Sequence, residues 1–300
     1  MEPAAPLITW PDPLVELLGF LSLFLVVGAT GFRLAVAGRV LGAPGTQAGE
    51  RAVLLAANHR AAAWGLLGAI GTTTLLALRL PGFAAREHLT VAELLVTNPR
   101  VGLQVALVGA ALAGFALASA RIPWGWGLAA LAVWAGPFTN AFFGQWGRLV
   151  TPLHRFAAGM WIGTLFVLVV AGLAAVLRSE LTPERRGALA AGLVHAFSPL
   201  ALGSFATLAL FGVITAWQHL HVLSNLWRTP YGIALLVKLA IVGGVVALGA
   251  WNWKRQKPRL GSEEAVRDLR HTATIELLVA TLVLVASAIL VSLPSPRPPA

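Results

Sequence analysis

Eight stretches of this chain are apolar over about the 20 residues that an α-helix needs to cross the hydrocarbon core of a bilayer. They run at 14–37, 60–80, 101–119, 123–142, 154–177, 195–217, 231–253 and 272–293. Nothing else in the sequence restricts the fold so strongly. Backbone N–H and C=O groups find no water in lipid, so a spanning segment must be a helix or part of a closed barrel. No stretch shows the period-two alternation of barrel strands. The expected fold is therefore all-α, a polytopic transmembrane helical bundle of about eight spans. Composition agrees, with 57% hydrophobic residues, 11% charged residues and a mean hydropathy of +0.78. A soluble domain carries about 25% charged residues.

The connections are short, so no soluble domain is expected. The chain divides into residues 1–150 and 151–300, each with four spans. The net charge of +10 does not point to nucleic acid, because Lys and Arg stand between the apolar runs, where they set topology. Fourteen of them fall on one side, among them Arg33, Arg60, Arg186 and the six in loop 254–271, which include Arg255, Lys257 and Arg259. Seven, from Arg79 to Arg297, fall on the other. The positive-inside rule then places the first group in the cytoplasm and both termini outside. Residues 1–13 hold no Lys or Arg, so no cleavable signal peptide is expected. Within the basic loop, Ser262 followed by two glutamates marks a helix start that runs into the last span. Small-residue spacings such as Gly203–Thr207 and Gly243–Ala247 suit close helix packing.

The absence of Cys excludes disulfides, thiolate metal sites and iron–sulfur clusters. No G-x-x-x-x-G-K loop occurs, so no nucleotide-driven step is expected, and no catalytic constellation suggests an enzyme. The polar residues near the apolar runs carry what functional signal there is. His88, His154, His219 and His221 fall on the outer side; His59, His195 and His271 fall on the inner side. His154 opens the fifth run, and His219 and His221 in "WQHLH" close the sixth. Sequential antiparallel helices are usually neighbours, so these three can sit at one depth, and neutral imidazole suits Cu(II) or Zn(II). In a continuous helix, residues two apart point about 200° from each other. His219 and His221 therefore share an ion only if the chain is extended after Trp217. The alternative is that both are interfacial residues in an aromatic belt with Trp217 and Trp227.

Trp161 shares a helical face with His154, with Met160 one step aside, so both are candidates for lining a path. The bland reading is ordinary core packing. Lys238 lies about 10 Å inside the seventh span. A charge there costs about 3 kcal/mol on insertion scales and marks a functional candidate unless it snorkels. Glu276 enters the eighth span at another depth. No direct pair with Lys238 is expected, and Asn252 is the nearer partner.

Five stretches of the second half run in order: "LHRFAAGMWIGTLFVL" at 153–168, "FSPLALGSFATLALFGVITAW" at 197–217, "LWRTPYGIALLVKLAIV" at 226–242, "LGAWN" at 248–252 and "IELLVATLVLVASAILVSLPSP" at 275–296. Through them the second half resembles the copper resistance protein D (CopD) family. The family's Trp-x-Gly-Gly is present as Trp161-Ile-Gly163-Thr. The resemblance implies a bacterial inner-membrane protein of copper homeostasis that moves copper ions. It also implies a separate periplasmic copper-binding partner of the CopC type, besides the lipid bilayer. Copper would then be captured by His154, His219 and His221, with His88, and pass Trp161, Met160, Lys238, Asn252 and Glu276. Two other readings stay open. One is a cytochrome b-like haem protein using His154 with His219 and His195 with His271. The other is a membrane assembly protein without a transported substrate.

Overall fold

The computed structural model describes residues 8–252, 254 and 262–296. The basic residues Arg255, Lys257, Arg259 and Arg297 lie outside the described residues. The fold is an all-α polytopic bundle. Among the described residues, seven helices are long and apolar enough to cross a membrane: α1 Asp12–Leu41, α2 Ala48–Arg86, α3 Pro99–Ser119, α5 Trp146–Leu177, α6 Pro183–Leu220, α7 Pro230–Trp251 and α8 Glu264–Ser292.

The apolar run 123–142 forms a shorter helix, α4 Gly125–Phe138. At 1.5 Å per residue it is about 21 Å long, less than the core of about 30 Å. Its backbone tightens to a 3₁₀ turn over Gly136–Phe138, around Pro137, and the chain then turns at Gly144, where φ is +75°. Proline lacks the N–H that the next α-helical turn needs, so apolarity continues here while the α-helix does not.

Elsewhere helices outrun their apolar cores. α2 starts at Ala48, well before residue 60, where the Glu50 carboxylate accepts from the Gln47 backbone N–H at 2.9 Å. It also passes through Pro81 to Arg86. Hydropathy marks the buried length of a helix; caps mark its ends. Ser262 is such a cap, accepting from the Ala265 N–H at 3.2 Å and opening one helix through to Ser292.

Exposed tryptophans mark the two helix ends. Trp10, Trp146, Trp217 and Trp227 stand where α1 and α5 begin and where the α6–α7 link lies; Trp124 and Trp251 stand at the opposite ends of α4 and α7. This is the pattern of an aromatic belt at each interface. α5 is the most enclosed helix and lies against α1. At their crossing the Gly28 and Gly163 backbones touch so closely that a Cβ on either would overlap the other helix. Around it pack Phe32, Val36, Val167 and Val176, none exposed. By contrast, Gly203 and Gly243 face open space, so the small-residue spacings on α6 and α7 do not mark helix crossings within the chain.

Candidate functional site

α5, α6, α7 and α8 surround a groove of about 530 Å³. Its walls are apolar, from Leu165, Leu168, Phe197, Phe205 and Val246, and its polar lining comes from Ser198, Asn252 and Glu276. Glu276 is 5% exposed, and the Asn252 side-chain amide donates to its Oε2 at 3.0 Å. Gly249 gives the carboxylate room, since a Cβ there would lie 3.3 Å from Oε1. Three residues separate Gly249 from Asn252, which puts both on the α7 face that meets α8. The expected Asn252–Glu276 partnership is therefore present.

Toward the end where α5 begins, Trp161 packs edge-on against Phe205, with centroids 5.3 Å apart. Two helical turns further lies His154, on the same face of α5. Its Nδ1 sits 3.0 Å from the Leu208 carbonyl oxygen, and its ring lies against Gly212. A carbonyl only accepts, so Nδ1 is the donor, and in the neutral ring Nε2 then keeps its lone pair, as in a metal-ligating imidazole. The charges within electrostatic reach of His154 are Lys238 and Arg155. Lys238 and Asn252 are fourteen residues apart on α7, about 21 Å along its axis. Two polar stations are thus separated by most of the hydrocarbon thickness, with Trp161, Phe205 and the apolar groove between them. Lys238 and Glu276 are not paired, as their depths require.

The other proposed ligands are placed differently. The helix does not end at Trp217 but runs to Leu220, where the Asn225 side-chain amide donates to the Leu220 carbonyl at 2.8 Å. The extended geometry that would let His219 and His221 converge is therefore not adopted. His219 lies in the last turn, with Nδ1 2.8 Å from the Thr215 carbonyl oxygen and its ring stacked on Tyr231 at 5.7 Å. His221 follows at φ +59° and is exposed. Nor are His154 and His219 at one depth. His154 meets α6 at Leu208 and Gly212, seven to eleven residues before His219, or about 10–16 Å along the helix. α6 overhangs the start of α5, which sequential adjacency does not reveal.

His88 is an exposed turn residue at φ +55° beyond α2. Among the described residues no group of three or more His, Cys, Asp or Glu could hold a metal ion. Met160 belongs to the buried cluster that holds Val26, Ala69 and Phe115, with its thioether beside Gly31 of α1, and it does not line the groove. His195 bonds its own helix at Ala191, 2.7 Å away, and both it and His271 are exposed. Phe205 and Tyr231 were not anticipated. Tyr231 had a signal, being the sole tyrosine and standing across the α6–α7 link from His219; Phe205 had none.

Asn225→Ala is expected to fray the last turn of α6 at a cost of about 1 kcal/mol. The readout is faster amide hydrogen exchange at His219 and Leu220, with Leu208 unchanged.

Comparison with known proteins bears on three of these four helices. Residues 191–290 match the family model described as copper resistance protein D. Over this region the chain is similar to the CopD family. The matched region takes in most of α6, all of α7 and nearly all of α8, including Phe205, Lys238, Asn252 and Glu276; His154 and Trp161 precede it. A curated relative, the copper transport protein CutJ of Bacillus subtilis (strain 168), is 30% identical over 156 residues. That alignment covers 51% of this chain and 26% of CutJ, so the chain spans about a quarter of that relative's length. No solved structure matches the chain.

Proposed function

We propose that this multi-pass membrane protein carries copper ions across a bacterial inner membrane, along the groove between α5, α6, α7 and α8. The observation that carries the reading is the pair of polar stations: Glu276 with Asn252 lines the groove inside the region similar to the CopD family, and His154 stands beyond Trp161 on α5, ahead of that region. The name of the relative CutJ supports copper as the cargo.

His219 and His221, with exposed His88, receive the ion near the surface, and a separate periplasmic protein of the CopC type delivers it. His154 takes it next through Nε2. With no Cys in the chain and Met160 turned away, imidazole and carboxylate oxygen are the ligands at hand. Trp161 and Phe205 close the path between stations, and Glu276 receives the ion beyond them. Lys238, a like charge near His154, acts as a gate that holds a cation back until it moves or pairs.

The test compares copper accumulation in cells expressing wild type, His154→Ala and the His154→Ala/His219→Ala double variant, at matched membrane levels. The expected result is a fall to the vector background in the double variant and at least a fivefold loss in the single one, in line with one lost ligand (about 1 kcal/mol or more). Unchanged accumulation in the double variant would overturn the proposal.

A further inference from the structure

A second cavity, of about 510 Å³, lies in the first half of the chain, away from the CopD region. Its origin is the way α3 meets α4. The two run antiparallel and touch backbone to backbone at their linked ends, where Gly114 lies against Ala129 and Gly125 against Ala118. Contact this close needs glycine on one side. Toward the far ends the helices splay, and α1 and α2 close the floor through Leu23, Val26 and Ala69. The depth of the cleft is apolar, walled by Leu107, Val108, Ala111 and Val133. Its mouth is polar, formed by Asn98, Arg100, Gln104 and Asn140, on the side where α5 begins.

Arg100 is in the first turn of α3, at the level of the headgroups in a helix that spans the core. Among the described residues, Arg100, Gln104 and Asn140 have no side-chain hydrogen bond, and Arg100 has no ion pair. Three donor-bearing side chains, one of them cationic, therefore converge on the mouth of an apolar slot. The size is that of a small-molecule site.

We infer that the α3–α4 cleft binds an anionic phospholipid, with its phosphate at Arg100 and one acyl chain between the helices. Charge complementarity selects the headgroup, and the apolar walls select the chain. The inference is independent of the copper reading, because no residue of the cleft lies on the proposed path.

The test is native mass spectrometry of the full chain in detergent, with equal phosphatidylglycerol and phosphatidylcholine added, for wild type, Arg100→Gln and Val108→Phe. Wild type is expected to retain phosphatidylglycerol preferentially. Arg100→Gln should lower that preference about fivefold, the effect of one basic residue on an anionic lipid. Val108→Phe, which fills the slot, should remove retention of both lipids while thermal unfolding stays as in wild type. Equal retention of the two lipids by wild type, or an unchanged preference in Arg100→Gln, would refute the site. Displacement of phosphatidylglycerol by millimolar inorganic phosphate would also refute it, by showing an anion site that needs no acyl chain.

Discussion

Gly163→Leu is expected to destroy the bundle: little protein should reach the membrane, and what does should unfold well below wild type. The reason is the crossing of α1 and α5. A Cβ at Gly163 would overlap the Phe24 carbonyl, and one at Gly28 would overlap the Gly163 backbone. These obstacles are main chain, so no side chain can swing aside to make room. The helices would have to part, opening the layer that Phe32, Val36 and Val167 fill. Overpacking by a few methylenes costs about 1–3 kcal/mol where side chains can yield; here they cannot, so the loss should exceed that range. Gly163→Ala should sit between. Gly203→Ala and Gly243→Ala, in open space, should leave thermal stability within about 0.5 kcal/mol of wild type. Detergent melting of the four variants distinguishes the outcomes. Equal tolerance of alanine at all three positions would mean that α1 and α5 are not held by this contact.

That contrast also locates the limit of the sequence. Apolar length and spacing revealed the helices because membrane insertion depends on local composition, and seven of the eight runs became long helices. The fourth was overestimated because hydropathy does not register the break that Pro137 imposes. Small-residue spacing singled out Gly203 and Gly243, yet the close approaches lie at Gly28, Gly163, Gly114 and Gly125. Which glycine meets a neighbour depends on which helices cross, and that is a property of the whole bundle. The candidate site followed the same division. Glu276 with Asn252 was legible because both positions end their spans at one depth. The depth of His154 relative to His219 was not, since it depends on how far α6 overhangs α5. Helical phase alone told that His219 and His221 diverge; the cap from Asn225 decided that the helical case applies.

Glu276→Gln should abolish copper movement while leaving capture at His154 intact. Glutamine has nearly the volume of glutamate, and its side-chain oxygen can still accept from the Asn252 amide, so the 3.0 Å contact and the α7–α8 packing survive. What disappears is the carboxylate, and a neutral amide is a far poorer ligand for a copper ion. An acidic side chain within a span is costly to insert and is by default a candidate for an ion path. Glu276 has one hydrogen bond from Asn252 and one oxygen left facing Gly249 in the groove. In proteoliposomes the expected result is at least a tenfold loss of copper flux, a barrier increase of about 1.4 kcal/mol or more. Copper bound per purified protein should change less than twofold, because His154 lies about 20 Å away along the bundle. Asn252→Leu provides the complementary case. It keeps the charge and removes its partner, so it should reduce protein stability more than Glu276→Gln does, since it strands a buried carboxylate. Should Glu276→Gln transport at the wild-type rate, the carboxylate is a structural anchor between α7 and α8, and the path must leave the groove before it reaches that depth.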